Sequence, residues 1–225
     1  MSRSVLFDTE TTGLDPLLGD RVIEVACLEL HRDLPTGRTF HCFVDPERDI
    51  NPDATRVHGL TRADLRGRPL FAAIAGDLIE FLSDDPLVAH NAPFDFGFLN
   101  AEFARLGLPS LDPYRMVDTL ALAKTRFPGL PNSLDALCRR FDIDLSERTT
   151  HNALLDCRLL GEVYVELTGG RQRGLLLADD AGDSLPAIAY ELAGPRHPVL
   201  VTVDADALAR HAAFVARLRE AVWLQ

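Results

Sequence analysis

Apolar residues in the first part of the chain come in short runs separated by polar turns. SVLFD (4–8), RVIEVACLEL (21–30) and RTFHCFVD (38–45) have the length and apolar content of strands. Polar residues with Pro35 and Gly37 place a turn between the second run and the third. Three strands joined by short loops predict an antiparallel meander. A Pro-bearing loop over 46–53 follows, and then a helical pattern over 69–83. LVAH (87–90) predicts a strand leading into a helix from about Pro93 to Leu106. Pro93 suits the first helical position, where its missing N–H costs nothing. After a short strand at 116–118, three helical patterns follow, the last over 152–167. Gly169-Gly170 ends it. The order predicts an α/β domain over 1–170, a Gly-, Pro- and Asp-punctuated linker over 171–203, and a tail over 204–225.

Composition adds exclusions. At 225 residues, with 47% hydrophobic and 25% charged, the chain reads as globular, with enough length for one well-buried core. It has no run of about 18 uncharged apolar residues, so no membrane contact is expected. Two acids within MSRSVLFDTE argue against a secretory signal. Cys27, Cys42, Cys138 and Cys157 lie far apart without a CxxC, which points to reduced thiols and a cytoplasmic setting. The 34 acids outnumber 23 basic residues, for a net charge of −11. A protein gripping duplex DNA by phosphate neutralisation should be basic. Any nucleic acid must therefore meet a small local site, with metal ions or a partner supplying positive charge. Lys124 is the only lysine, a bias that reads as genome base composition.

Three acidic clusters carry the candidate chemistry. Asp8 and Glu10, two apart at the end of the first strand, share a face and can aim at one point. Hard oxygen donors of this kind suit magnesium or manganese; alone, the pair could equally be structural or capping. Asp95, in HNAPFD (90–95), falls in a first helical turn, where it either faces a ligand or merely complements the helix dipole. HNALLD (151–156) spaces His151 and Asp156 five apart, about 500° of ideal helix, so His151 belongs on the preceding loop. Asp156, inside an apolar run, is either solvent-facing or a buried ligand.

In this order and spacing, DTETTG, HNAPFD and HNALLD resemble the four-carboxylate 3′–5′ exonuclease superfamily, in its histidine-bearing branch. VHGLTRADL (57–65), FPGLPNSLDALCRRFDID (127–144) and RTTHNALLDCRLLGEVYVELTGG (148–170) are similar to the epsilon proofreading subunits of bacterial DNA polymerase III. Pro93 departs from the usual pattern without harm to a helix start. The resemblance implies a ribonuclease-H-like fold, a mixed five-stranded sheet flanked by helices, with the linker and helical tail added. It implies 3′–5′ exonuclease activity on a single-stranded or frayed DNA 3′ end, with two divalent cations, Mg2+ or Mn2+. Asp8, Glu10 and Asp156 match metal ligands, Asp8 bridging, while Asp95 contributes through coordinated water. His151 matches the general base, and an imidazole titrating near 6.5 suits that task. Asp53 and His58 match positions near the terminal nucleotide, beside Asp8 and Glu10; without the motif, His58 would read as a loop histidine satisfied by backbone. Asn91 and Phe94 are expected to brace the site.

Rival readings are an RNA-trimming exonuclease of the same superfamily and a non-catalytic scaffold subunit. The scaffold reading should show a lost acid or histidine, and none is missing. An aspartyl-phosphate phosphatase start would leave HNAPFD and HNALLD unexplained. Gln172–Leu177 (QRGLLL) resembles a degenerate sliding-clamp-binding peptide, with Gln172, Leu175 and Leu177 as anchors; an ordinary linker is the alternative. Leu208, Ala212, Val215 and Leu218 recur at helical spacing near Phe214 and Trp223. That stripe is expected either to dock on the polymerase's catalytic alpha subunit or to fold back on the core.

Overall fold

The computed structural model describes residues 3–146, 148, 150–169 and 203–217. The chain divides into two units, residues 1–176 and 177–225. In the first, β1 (Arg3–Thr11), β2 (Val22–His31), β3 (Leu34–Phe43), β4 (Leu87–Ala89) and β5 (Met116–Asp118) form one sheet in the order β3-β2-β1-β4-β5. β1 pairs antiparallel with β2 and parallel with β4, β2 pairs antiparallel with β3, and β4 parallel with β5. The helices are α1 (Pro52–His58), α2 (Arg62–Leu65), α3 (Phe71–Leu82), α4 (Ala92–Arg105), α5 (Thr119–Arg126), α6 (Leu134–Arg140) and α7 (Ala153–Leu167). The mixed five-stranded sheet with flanking helices is the expected α/β class. In the second unit, α8 (Ala205–Val215) is N-capped by Asp204, which accepts from Ala207 N at 2.7 Å. Among the described residues no helix is long and apolar enough to cross a membrane.

β1 is central and covered on both faces, which explains its nearly unbroken burial and the consecutive apolar residues Val5, Leu6 and Phe7. Val5 and Phe7 point into a core with Phe71, Leu78, Phe98 and Phe103 of α3 and α4. Leu6 points the other way, into a core with Cys157 and Leu160 of α7. Gly161 lets α7 approach: a Cβ there would lie 3.1 Å from Leu6 Cδ1.

Two local expectations are corrected. The β2–β3 turn falls at Arg32 and Asp33, both with positive φ (54° and 61°), ahead of Pro35 and Gly37. Pro35 and Gly37 instead lie inside β3, where the register to β2 shifts between Leu28 and Leu30. β3 is an edge strand, so proline is tolerated, and Gly37 (φ 87°) marks an irregularity rather than a reversal. Secondly, the loop reading over 46–53 overlooks α1, which begins at Pro52, and α2 beyond it. Both are too short to show a period. Their signals are caps: Asn51 accepts from Asp53 N, Gly59 ends α1 in a left-handed conformation, and Thr61 with Asp64 forms a capping box. The interval 170–202 and the segment 218–225 lie outside the described residues, and with them Gly170, Gln172–Leu177, Leu218 and Trp223.

The β2–β3 turn asks two side-chain-bearing residues to sit at positive φ, where Asn-Gly is preferred. Replacing Arg32-Asp33 by Asn-Gly should stabilise the fold by about 1 kcal/mol, read as an upward shift of the urea midpoint at unchanged slope.

Candidate active site

Asp8 and Glu10 lie on the α7 side of β1, in step with Leu6. Glu10 stands directly opposite Glu24 of β2, and the pairing shifts immediately after it, so that Thr11 faces Val22. A bulge there ends the regular ladder where the carboxylates emerge. Glu24 is almost fully buried; its Oε1 accepts from Asn152 Nδ2 at 3.0 Å and meets His41 Nε2 at 2.7 Å.

Asp95 arrives from the other layer of the sheet, in the first turn of α4. Thr9 points toward that layer and holds it twice: its backbone N–H and its hydroxyl donate to Asp95 Oδ1 at 3.0 and 2.7 Å. α4 is itself positioned by Asp118, whose Oδ1 accepts from the backbone N–H groups of Asn91 (3.0 Å), Ala92 (3.3 Å) and Leu120 (3.0 Å). Asn91 takes a left-handed conformation to make this approach. Its backbone therefore does the bracing.

Asp156 is buried in the first turn of α7. His151 lies on the loop before that helix, its side chain 46% exposed, with Nδ1 3.3 Å from Asp156 Oδ2. The His151 backbone N–H donates to Val57 O of α1 at 3.1 Å, and Asn51 N donates to Thr12 O at 2.9 Å. α1 thus ties the His151 loop to the exit of β1.

Asp8, Glu10, Asp95, His151, Asp156 and His58 all line one cavity of about 220 Å³, with Leu14, Ala54, Val57 and Phe94 as an apolar wall. A larger groove of about 610 Å³ beside Leu34, Phe141 and Val165 holds none of them. Asp53 is not among the cavity residues; it lies exposed at the start of α1, paired with Arg56. His58 Nδ1 accepts from Leu60 N at 3.0 Å, so the backbone does satisfy one of its nitrogens.

Burial, then the charges of Asp95, Glu10, Asp156 and Glu24, push Asp8 well above the usual carboxylate range. Burial, then Glu24, Asp156 and Asp95, push Glu10 up to about 8. Burial also raises Asp95, to about 7, against the opposing hydrogen bonds from Thr9. Asp156 goes the other way: burial is outweighed by hydrogen bonds from Arg148 and His151 and by the Arg148 charge. Glu10, His151 and Asp156 each offer a ligand atom, all within 4.8 Å of one another. With Asp8 and Asp95 beside it, and carboxylates outnumbering the single Arg148 guanidinium, this oxygen-rich donor set fits hard divalent cations.

Three contributing residues escape a motif reading. Glu24 was visible only as an acid inside the apolar run RVIEVACLEL. Thr9 hides within DTETTG as a neighbour of the acids, and Arg148 within RTTHNALLD.

Residues 5–164 match the exonuclease family. The chain is 48% identical over 180 residues to the DNA polymerase III subunit epsilon of Rickettsia felis, covering 79% of each chain. It is 41% identical over 221 residues to that of Rickettsia typhi, covering 96% of each. Exonuclease X, solved in complex with 5′ overhanging duplex DNA, superposes with a TM-score of 0.58 at 25% identity, over 74% of this chain and 91% of that one.

The raised carboxyl groups set a pH dependence. Between the ordinary carboxylate range near 4 and the folded values of about 7 and 8, native Asp95 and Glu10 hold protons that the unfolded chain has released. Stability of the ion-free protein should therefore fall as pH rises from 5 to 8. Asp156 contributes the opposite slope, but only at lower pH, where its carboxylate is lost. Urea melts in chelator should show this decline and saturating divalent cation should flatten it; a rise across the window would contradict the charge assignment.

Proposed function

The chain belongs to the exonuclease family, in the company of the DNA polymerase III epsilon subunits, and from that premise we propose that Asp8, Glu10, Asp95, His151 and Asp156 form the catalytic centre of a 3′–5′ exonuclease that removes mismatched 3′-terminal nucleotides as a proofreading subunit. The observation carrying this reading is convergence: five motif residues from three distant segments line one cavity.

Members of this family depend on divalent metal ions, and the acids of this chain suit them. Asp8, Glu10 and Asp156 would hold two ions, Mg2+ or Mn2+, and Asp95, in the same cavity, would assist through water. The chemistry such ions would supply there is stabilisation of charge on the entering and leaving oxygens of the phosphodiester. His151 receives the proton of the attacking water; its partly exposed ring and its loop placement give it access to both solvent and cavity. Leu14, Ala54, Val57 and Phe94 offer the terminal base an apolar wall, and His58 borders the same space. Asp53, at the exposed edge of α1, meets the strand as it enters. A mismatched 3′ end unpairs at lower cost than a matched one, so it reaches these acids more readily.

Asp8→Ala and Asp156→Ala should each abolish metal-dependent hydrolysis while leaving the circular dichroism spectrum unchanged. His151→Ala should still bind Mn2+ and DNA but cleave roughly 10²-fold more slowly. Gel-resolved digestion of 3′- and 5′-labelled DNA, paired or mismatched, with matching RNA, checks all three. Near-wild-type cleavage would refute the corresponding role, and preference for RNA would favour a trimming enzyme.

Residues 204–225 are the segment to engage the polymerase's catalytic alpha subunit, and Gln172–Leu177 the sliding clamp. Within the tail, α8 leaves Leu208 more than half exposed and buries Val215 of the same stripe, while Phe214 is exposed to one side of it; uncovered apolar side chains on a helix are what a helix-in-groove peptide offers. Truncation after Gly170 should preserve nuclease rate and melting temperature yet abolish co-purification with the alpha subunit. Aggregation or lost activity would favour a tail that completes the core. Gln172→Ala/Leu177→Ala should lose retention on immobilised clamp.

A further inference from the structure

Arg148 belongs to none of the acidic clusters, yet its side chain is only 8% exposed and lies against two of the proposed catalytic groups. Its Nε donates to Asp156 Oδ1 at 2.6 Å and its Nη2 to Asp156 Oδ2 at 2.7 Å, a two-pronged pairing with both carboxylate oxygens. The same Nη2 lies 3.0 Å from His151 Nδ1. The third nitrogen, Nη1, pairs with Asp135 of α6. One guanidinium therefore bridges an acid and a histidine of the centre and an acid outside it.

Two consequences follow from charge and space. A carboxylate engaged on both oxygens by a guanidinium is partly occupied, and a divalent ion approaching it also meets the repulsion of a fixed positive charge. Asp135, more exposed than Asp156, already holds one arm of the arginine. A second cavity of about 300 Å³, lined by Asp135, Arg148, His151 and Asp156 together with Asp8 and His90, gives the side chain room to retreat.

We propose that Arg148 is a positioning residue that stands in for a cation on Asp156, holds His151 beside it, and yields Asp156 to a divalent ion by shifting toward Asp135. The proposal rests on the reading of Asp156 as a metal ligand. In the ion-free protein the arginine keeps Asp156 and His151 in register. When an ion is held, the Asp135 pairing keeps the displaced guanidinium from being stranded in a buried place.

Mn2+ binding to the full-length chain, followed by calorimetry without DNA, tests this. Arg148→Gln should bind Mn2+ about tenfold tighter or more, since a competing charge is gone, and its ion-free melting temperature should drop because Asp156 loses its partner. Asp135→Asn should weaken Mn2+ binding severalfold, by leaving the displaced arginine no second carboxylate to pair with. In the Arg148→Gln background the Asp135→Asn change should have no further effect, which separates a relay through Arg148 from a plain loss of negative charge. Equal or weaker Mn2+ binding by Arg148→Gln overturns the proposal. Should that variant not fold, unchanged affinity in Asp135→Asn overturns it instead. If Asp156→Ala binds Mn2+ as the unaltered protein does, the metal-ligand reading of Asp156 is what fails.

Discussion

Mutual repulsion among buried carboxylates is the constraint around which this molecule is arranged. Glu10 faces Glu24 across adjacent strands, Asp8 sits two residues away, and Asp95 and Asp156 close on the same space. Like charges directly opposite in a sheet are destabilising, and burial magnifies the effect. The surrounding structure offsets part of it with named partners: Thr9 for Asp95, Arg148 for Asp156, Asn152 and His41 for Glu24. Asp8 and Glu10, dominated by burial and by neighbouring acids, stay far from their ordinary titration range. A site tuned in this way favours divalent cations and disfavours remaining empty of positive charge. It also reconciles a net charge of −11 with a phosphodiester substrate.

The sheet makes the convergence possible. Because strand side chains alternate, β1 addresses both helical layers at its C-terminal end: Asp8 and Glu10 face α7, while Thr9 reaches across to α4. Acids from two layers thus meet at one strand end, where parallel β4 also delivers its helix. Ligands in α/β proteins commonly bind at such strand ends. Gly161 matters for the same reason, since it lets α7, and with it Asp156, lie close against β1.

Much of the enzyme was legible along the chain. Strands β1, β4 and β5, and helices α3, α4 and α7, are local consequences of apolar period, proline placement and glycine stops, and they emerge within two or three residues of their expected bounds. The three clusters DTETTG, HNAPFD and HNALLD carry five of the site residues because chemistry confines these residue types to short intervals at element ends. His151 could be assigned to a loop from helix geometry alone, as the start of α7 after Asn152 bears out.

Tertiary structure decided what depends on through-space partners. The β2–β3 reversal went to Arg32-Asp33 because strand register placed it there, overriding the turn-forming character of Pro35 and Gly37. α1 and α2 are too short for periodicity, and their place is set by caps and by hydrogen bonds to Thr12 and Val57 on either side of the cavity. Thr9 and Arg148 stand 86 and 8 residues from the site carboxylates they contact, and Glu24, opposite Glu10, is held by Asn152 from 128 residues away. Such contacts leave no local pattern, since a hydrogen bond or ion pair depends on distance in space and not on separation along the chain. The sequence alone therefore determined which groups could do the chemistry, while the fold determined which neighbours hold them in place and at what state of charge.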